Sequence, residues 1–377
     1  MKRILFITQN LGRGGSEMLL WYSLNHLNKN KFTPLIFCKE RGEFIDVLPT
    51  DIKYFLPYKK SKNLFHKAFR VILKAFKVNP LEYQLKQIHK KNQVDFWYVN
   101  TIIIPEVYEI AQKLGVKIIT HVHELTIAYN FITYNDLKRI IDYSSILIGC
   151  SEAVCNKIRD MGRTDVKLLY GFVDTDKITY TKLAPEVKIA TGFSSDDFVW
   201  AISGKTSLIK GIDFLVALLK VVPQNFKFIW IGGDEHTGLY YYAEKALQTN
   251  FPDRVKFLGV QREEYYNYLN SADAFLLLSR EDSFPLVMLE AATLGKPIVG
   301  FNSGGISEFV QPHTGRVVNS WRIEDLANAM KEIENDFLAF NKEEIKKQAL
   351  SYEVKKQVAI LEGILDEMTY KYDSKTA

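Results

Sequence analysis

Short apolar runs alternate with longer amphipathic stretches along the whole chain. The apolar runs are continuous, as in strands of a parallel sheet that is covered on both faces. They predict ten strands, in two groups of five: residues 4–8, 34–38, 96–100, 117–121 and 146–150, then 198–203, 227–231, 256–258, 274–278 and 297–301. Apolar residues at helical spacing predict helices between them, for example over 17–27, 209–220 and 286–294.

The two groups of strands predict an α/β protein with two doubly wound domains, whose sites lie at the carboxyl ends of the strands. A polar stretch with Pro185, residues 174–196, separates the groups and predicts the linker. We therefore predict an amino-terminal domain over 1–180 and a carboxyl-terminal domain over 196–350. A last helix within 351–377 has no strand after it, and we expect it to cross back to the amino-terminal domain.

Composition adds little to this picture, because 47% hydrophobic and 25% charged residues are typical of a globular chain. The apolar runs are too short to cross a bilayer, and the amino terminus lacks the pattern of a signal peptide. The three cysteines, Cys38, Cys150 and Cys155, contain no Cys-x-x-Cys pair, which argues against a disulfide framework or a zinc site. We therefore expect a cytoplasmic protein with reduced thiols.

Charge is distributed unevenly. Residues 53–91, the basic segment, contain eleven Lys and Arg and one acidic residue, Glu82, which gives +10 in a chain of net charge +5. This segregation indicates a local anionic partner, and not a nucleic acid, since no nucleic-acid recognition motif accompanies it.

Inside the basic segment, apolar residues recur at helical spacing: Leu64, Phe65, Ala68, Phe69, Ile72, Leu73 and Phe76. Basic residues fall mostly beside or opposite them: Lys62, Lys67, Arg70, Lys74 and Lys77. Two interpretations stay open. The helix lies in an anionic membrane interface, or its apolar face packs on the amino-terminal domain while the basic residues are solvated.

A glycine-rich turn, Gly12 to Glu17, follows the first predicted strand. Backbone N–H groups in such a turn, ahead of a helix, can approach a phosphate closely. A dinucleotide fingerprint is less well supported, because Glu17 occupies its third glycine position. The alternative is a tight strand–helix turn that binds nothing.

Two histidines, His121 and His123, follow a middle strand, but no third ligand has the spacing of a metal site. In the second half, Lys205 and Lys210 lie between a strand and a helix with Gly204 and Gly211 beside them. Two lysines near a helix amino terminus can converge on a diphosphate. The alternative for the histidines is that one of them simply ends a strand. The alternative for the lysines is that they are solvated surface charges.

The strongest signal is the stretch 279–292, in which an acid-containing loop precedes a helix that begins near Pro285. Asp282 and Glu290 have seven residues between them, and Glu290 is predicted to fall two turns inside an apolar helix. A carboxylate there is costly unless it accepts hydrogen bonds. Ligand hydroxyls would supply them, and so would a nearby Arg or backbone N–H.

The order of these motifs resembles the retaining glycosyltransferases of family four. That family has the GT-B fold, two Rossmann-like domains facing each other across a cleft. The matching motifs are Gly14-Gly15-Ser16-Glu17, His123, Lys205 with Lys210-Gly211, Asp282 with Glu290, Gly295-Lys296-Pro297-Ile298-Val299 and Gly304-Gly305-Ile306-Ser307-Glu308. The runs that begin at His123, Cys150 and Ser279 are similar to bacterial members that build surface polysaccharides such as lipopolysaccharide.

The resemblance implies roles for the residues of the second half. Lys205 and Lys210 would hold the donor diphosphate, and Glu290 would accept the ribose hydroxyls. Asp282 would face the transferred sugar and the distal phosphate. The adjoining residues would help to bind the donor, chiefly through backbone N–H groups: Ser283, Phe284, Leu286 and Val287.

In the first half, the resemblance places His123 near the reacting face of the sugar. Gly14 and Gly15 would lie against donor phosphate and acceptor, and Glu17 belongs to the same substrate-binding loop. One departure is that the family usually has Glu where this chain has Asp282, which leaves open which acid contacts which sugar hydroxyl.

The implied activity is that of a retaining hexosyltransferase, which moves a sugar from a nucleoside diphosphate donor to a glycan or lipid-linked acceptor. No cofactor or metal is expected, because lysines and helix amino termini can stabilise the leaving diphosphate. A lipid-linked acceptor would favour the membrane interpretation of residues 53–91, with the protein peripheral on the inner face of the cell membrane. Two alternatives remain: a non-hydrolysing sugar-nucleotide epimerase, and a catalytically silent nucleotide-sugar-binding partner.

Overall fold

The computed structural model describes residues 1–58, 64–75, 78–233 and 236–373. Its backbone contacts divide the chain into two compact units. The amino-terminal unit comprises Met1–Gly171 and Val354–Ala377, and the carboxyl-terminal unit comprises Phe172–Glu353. Three residues named above in the basic segment lie outside the described residues: Lys62, Phe76 and Lys77.

In the amino-terminal unit the described strands are β1 Lys2–Thr8, β2 Phe32–Cys38, β3 Lys53–Phe55, β4 Phe96–Val99, β5 Ile118–Val122, β6 Ile146–Gly149 and β7 Val166–Leu168. They pair in parallel in the order β3-β2-β1-β4-β5-β6-β7. The helices between them are α1 Gly15–His26, α2 Leu64–Ala75, α3 Pro80–Lys91, α4 Glu106–Leu114, α5 Tyr134–Tyr143 and α6 Glu152–Asp160.

In the carboxyl-terminal unit the helices are α7 Ala184–Ala190, α8 Ile212–Leu218, α9 Gly238–Asn250, α10 Tyr265–Ser271, α11 Leu286–Thr293, α12 Ile306–Phe309, α13 Ile323–Asn335 and α14 Lys342–Ala349. The described strands are β8 Val199–Ser203, β9 Lys227–Ile231, β10 Val255–Gly259, β11 Ala274–Leu277, β12 Ile298–Phe301 and β13 Gly315–Val318. They form a second parallel sheet in the order β10-β9-β8-β11-β12-β13.

The last helix, α15 Val354–Asp373, returns to the amino-terminal unit and contacts α1. There the carboxylate of Glu362 accepts a hydrogen bond from the Asn28 backbone N–H at 2.6 Å. The contacts thus divide the chain at Phe172 and again at Val354, whereas the sequence analysis places the linker at 174–196. That stretch belongs to the carboxyl-terminal unit, where Lys188 of α7 pairs with Asp273 at 2.7 Å.

The ten predicted strands are confirmed within one to two residues at each end. Their apolar runs become fully buried strands, such as β4, β5 and β6, because helices cover both faces of the sheet. In each sheet the strand order reverses, between β1 and β4 and between β8 and β11. Loops at the carboxyl ends of these strands are where ligands bind in such folds. Among the described helices, none is both long and apolar enough to cross a bilayer.

Candidate active site

The lysine loop, residues 204–211, connects the carboxyl end of β8 to α8. Gly204 and Gly211 have positive φ angles, 138° and 75°, which favour glycine. A Cβ atom at Gly211 would overlap the carbonyl oxygen of Leu278, which follows β11. Glycine therefore allows the lysine loop to pack directly against the segment that leaves β11.

Lys210 and Asp282 form an ion pair between these two segments, with Nζ and Oδ2 2.5 Å apart. The Ser279 hydroxyl donates a hydrogen bond to the same carboxylate oxygen at 3.2 Å. The two side chains are 30% and 13% exposed, so the pair lies at the surface of the site. The structure thus brings together two of the predicted site residues, one cationic and one anionic.

The backbone of Asp282 is held by the loop that follows β12. The Asp282 N–H donates to the carbonyl oxygen of Ser303 at 2.9 Å, and the Gly305 N–H donates to the Asp282 carbonyl oxygen at 3.2 Å. A Cβ atom at Gly305 would overlap the carbonyl oxygen of Ser283. The Gly304-Gly305 motif therefore has a structural role, since it lets this loop lie against the acidic one.

Glu290 lies about one turn inside α11, not two turns as predicted, because the helix begins at Leu286. Its carboxylate accepts hydrogen bonds from the hydroxyls of Tyr265 at 2.9 Å and Tyr266 at 3.3 Å. The Tyr265 hydroxyl is also 2.9 Å from the hydroxyl of Ser203, at the end of β8. The carboxylate is therefore satisfied by hydroxyl groups, not by an arginine or a backbone N–H.

Burial raises the pKa of Glu290 to about 7, and the two tyrosine hydrogen bonds partly oppose this shift. The side chain therefore changes its charge near neutral pH. The tyrosines were not anticipated from the sequence, although the adjacent pair Tyr265-Tyr266 opens α10.

The remaining predicted residues of this unit lie in the lysine loop and around the start of α11. Lys205 is exposed in the lysine loop, whereas its neighbour Thr206 is buried and its N–H donates to the Gly233 carbonyl oxygen at 3.1 Å. Phe284 is buried and packs on Tyr352 with ring centroids 5.3 Å apart, so only its backbone is available to a ligand. Three residues at the start of α11 are half-buried: Ser283, Leu286 and Val287.

In the amino-terminal unit, α1 begins at Gly15, within the glycine-rich turn, with Gly14 as its N-cap. The Glu17 carboxylate accepts a hydrogen bond from the Ser16 hydroxyl at 3.0 Å. It also lies so near Gly14 that a Cβ atom there would overlap it. Glycine at 14 thus leaves room for the Glu17 carboxylate, and Gly15 opens the helix with free space where a side chain would be. The turn therefore presents a carboxylate at the amino terminus of α1.

His123, after β5, is fixed by Asn100, after β4. The Asn100 side-chain N–H donates to the Ser16 carbonyl oxygen at 2.9 Å, so its amide oxygen faces His123 Nε2, at 3.1 Å. Nε2 must then carry the proton, which leaves Nδ1 as an acceptor. Burial lowers the pKa of His123 to about 3, so the ring is neutral at physiological pH.

His121 packs against His123 with ring centroids 3.9 Å apart, and its Nδ1 is 2.7 Å from the Tyr98 hydroxyl. It is fully buried, and burial holds its pKa well below the ordinary value. Its role is therefore in the core. In the part of the chain that the structure describes, no three His, Cys, Asp or Glu side chains are grouped so that they could hold a metal ion.

Glu124, beside His123, has a structural role that was not predicted from the sequence. Its carboxylate accepts hydrogen bonds from the Thr101 hydroxyl and from the backbone N–H groups of His123 at 2.9 Å and Ile102 at 3.4 Å. Burial raises its pKa to about 7, against the effect of these bonds. It joins the loops after β4 and β5 and so supports the position of His123. The sequence signal that could have identified Glu124 is its place beside His123 at the end of a strand.

Comparison with known proteins agrees with this geometry. Residues 185–339 match the family model described as glycosyl transferases group 1. The N-acetyl-alpha-D-glucosaminyl L-malate synthase of Bacillus anthracis is 26% identical over 287 residues, which cover 72% of this chain and 74% of that protein. The alpha-galactosylglucosyldiacylglycerol synthase of Streptococcus pneumoniae is 26% identical over 260 residues, covering 64% and 66%.

The fold is similar to that of Anabaena Alr3699/HepE, whose crystal structure contains UDP. The TM-score is 0.80, with 20% sequence identity, over 97% of this chain and 100% of that chain. Two parallel Rossmann-like sheets of this kind are the GT-B architecture. The chain therefore has the GT-B fold, and its residues 185–339 match the family model of the glycosyl transferases group 1.

Proposed function

We propose that the protein transfers a hexosyl group from a nucleoside diphosphate sugar to a glycan or lipid-linked acceptor, with retention of anomeric configuration, in the synthesis of a bacterial surface polysaccharide. One observation carries the donor assignment. The Lys210–Asp282 pair and the Tyr265–Glu290 pair both lie at the carboxyl end of β8, beside the reversal of strand order. A cation and a carboxylate held there match a diphosphate and a ribose.

The donor diphosphate would take the position that Lys210 faces, with Lys205 in the same loop adding charge. Phosphate oxygens would then compete with Asp282 for the Lys210 ammonium. Glu290 already accepts two hydroxyl hydrogen bonds, and in the complex it would accept those of the ribose diol. The backbone N–H groups that precede α11 would face the distal phosphate and the sugar.

Breakage of the sugar–phosphate bond leaves negative charge on the diphosphate and an oxocarbenium-like sugar. The lysine ammonium groups would stabilise that charge as it develops, without a metal ion. Asp282 is engaged by Lys210 and Ser279, which makes it a poor nucleophile. We therefore propose attack of the acceptor hydroxyl on the face that the diphosphate leaves, with the departing phosphate oxygen taking its proton.

The amino-terminal unit is proposed to bind the acceptor. Its site presents the Glu17 carboxylate and the unprotonated Nδ1 of neutral His123. Both can accept hydrogen bonds from the hydroxyls of a sugar. One relative is named as a synthase of a glycosylated diacylglycerol, which supports a lipid-linked acceptor.

Helix α2 of the basic segment supports a peripheral membrane position on the cytoplasmic face. Leu64 and Phe65 are 77% and 84% exposed, and Ile72 is 51% exposed. On its other side Leu73 is buried, and Phe69 packs on Tyr83 with ring centroids 5.5 Å apart. Some apolar residues of α2 thus pack on the amino-terminal unit and others are exposed. An exposed apolar surface in a basic segment would suit an anionic bilayer.

Vesicle sedimentation tests this surface. We expect binding to phosphatidylglycerol vesicles and little binding to phosphatidylcholine vesicles, and weaker binding for Phe65→Ser. Phe131→Ser is the matched control, because Phe131 is 76% exposed in the same unit but outside the basic segment. Equal binding by Phe65→Ser and the wild type would contradict the proposed membrane contact.

Thermal-shift measurements with UDP, GDP and ADP test the donor site, because a ligand of the native state raises Tm. The selected nucleotide sugar is then incubated with and without glycan or lipid acceptors, in buffer containing EDTA. Transfer with an unchanged anomeric proton coupling supports the proposal. A modified sugar without acceptor would indicate an epimerase, and binding without turnover on any acceptor would indicate a silent partner.

A further inference from the structure

Arg280 follows β11, two residues before Asp282, and has no role in the donor site described above. Its Nη1 and Nη2 donate to the two carboxylate oxygens of Asp213 at 2.8 and 2.6 Å. Nη1 also donates to the carbonyl oxygen of Leu208 at 2.6 Å. The guanidinium carbon lies 3.9 Å from the centroid of the Phe214 ring. The guanidinium group is thus held on one face by the Phe214 ring and along one edge by oxygen atoms of Asp213 and Leu208.

These contacts tie the acidic loop to the lysine loop and to the first turn of α8. The Arg280 backbone N–H also donates to the Ile209 carbonyl oxygen at 2.8 Å. Leu208 and Ile209 immediately precede Lys210, but their side chains are 54% and 41% exposed, so apolar burial anchors them weakly. The conformation of this backbone therefore depends largely on hydrogen bonds, and Arg280 supplies two of them.

The charge of Arg280 is already compensated by Asp213 through a two-bond fork, a geometry that lysine cannot reproduce. From these contacts we infer that Arg280 is a positioning residue, which holds the lysine loop so that Lys210 meets the donor diphosphate without touching the diphosphate itself. This inference rests on the donor site proposed above.

The test compares UDP with uridine by calorimetry, or GDP with guanosine if the thermal-shift screen selects GDP. Arg280→Lys is expected to raise the Kd of the nucleoside diphosphate about tenfold, a loss of one good hydrogen-bonded contact. The Kd of the nucleoside, which lacks phosphates, should change less than about twofold. In turnover, the donor KM should rise while the acceptor KM stays constant.

A double-mutant cycle separates positioning from direct contact. If Arg280 acts through Asp213, then Asp213→Asn also weakens diphosphate binding, and the double variant is no worse than the poorer single variant. If Arg280 binds the diphosphate directly, Asp213→Asn leaves the Kd unchanged or lowers it, and the two effects add. That second result would overturn the inference.

Arg316→Lys is a matched control, because Arg316 also pairs with a carboxylate, Glu332, at 3.2 Å and lies over a ring, Phe340. It should leave the Kd unchanged. Hydrogen exchange without ligand gives an independent readout: amides of 205–211 should exchange faster in Arg280→Lys and Asp213→Asn than in wild type.

The possible failures are distinguishable. A wild type that binds none of UDP, GDP and ADP removes the proposed donor site and this inference with it. A wild type that binds a nucleotide, together with an Arg280→Lys variant of equal affinity and equal exchange, removes only the role of Arg280.

Discussion

The glycine-rich turn after β1 and the lysine loop after β8 occupy corresponding places in their two sheets. Each follows the strand at which the order reverses, contains glycines and leads into a helix. Their charges differ: the first presents the Glu17 carboxylate at its helix, and the second carries Lys205 and Lys210. A glycine turn therefore permits close approach of a ligand, but the charged side chains determine which ligand suits it.

The neighbouring loops show the same contrast. In the carboxyl-terminal unit, Lys210 is partly exposed and forms an ion pair with Asp282. In the amino-terminal unit, His123 is neutral, and Arg13 of the glycine-rich turn pairs with Glu43 at 3.0 Å. We therefore propose that the lysine loop binds an anion, whereas the glycine-rich turn and His123 offer hydrogen-bond acceptors.

Loss of the cation in the lysine loop should have the largest effect. Lys210→Ala is expected to lower kcat/KM by about a thousandfold, because the developing charge on the leaving diphosphate loses its nearest ammonium. Lys220→Ala, at an exposed position of the same unit, should change it less than about twofold. Near-wild-type turnover in Lys210→Ala would break the contrast between the two loops.

Glu290→Gln is expected to lower kcat/KM by about a hundredfold, because the amide loses one acceptor oxygen for the ribose diol and the tyrosines. Circular dichroism and Tm should show an intact fold. Glu324→Gln, an exposed carboxylate of α13, is the control. If Glu290→Gln binds the nucleoside diphosphate as tightly as the wild type, the ribose assignment fails.

Asn100→Asp sharpens the comparison from the other unit. A carboxylate there would accept a hydrogen bond from His123 Nε2 and favour the charged form of the ring, which should raise the pKa of His123 and lower kcat about tenfold. The Kd of the nucleoside diphosphate should stay within about twofold, because the proposed donor site lies in the carboxyl-terminal unit. Nitrogen NMR of the imidazole reports the charge, and a changed Kd would contradict the separation of roles.

The smallest effect concerns pH. Glu124 and Glu290 have pKa values raised to about 7 in the folded protein, so the native state binds these protons more tightly than the unfolded chain. Each contributes stability that is present below the unfolded pKa and is lost as pH rises through about 7. The lowered pKa values of His121 and His123 have the opposite effect on stability. The stability that they contribute is present above the unfolded pKa of histidine and is lost as pH falls below it.

Comparison with Gln variants isolates each carboxyl group. Between pH 8 and 6, the difference in Tm between wild type and each variant should change by about 2–4 °C. Saturating nucleotide should abolish this pH-dependent change for the comparison with Glu290→Gln, since ribose hydroxyls favour the ionised form of Glu290. It should leave the change for the comparison with Glu124→Gln unaltered. Equal responses of both variants to nucleotide would contradict the assignment.

Buried central strands were predictable from sequence because both of their faces are covered, as in β6 and β11. The strands β3, β7 and β13 were missed, and each lies at the edge of its sheet. Edge strands are short and half-solvated, as the exposed residues of β3 show, so they lack a continuous apolar run.

Candidate site residues could be named from the sequence where they lie in one short stretch, as Asp282 and Glu290 do. The supporting residues could not, because their partners are distant along the chain: Asp213 is 67 residues from Arg280, and Tyr265 is 25 from Glu290. Likewise, helical spacing gave α2, but spacing alone cannot tell which apolar residues pack and which stay exposed.

A crystal structure of the protein with the nucleoside diphosphate selected by thermal shift tests the donor assignment most directly. We predict phosphate oxygens within hydrogen-bond distance of Lys210 Nζ, with Lys205 beside them, and both ribose hydroxyls at the Glu290 carboxylate. A nucleotide bound at another place, or one bound with these three side chains turned away from it, would contradict the account.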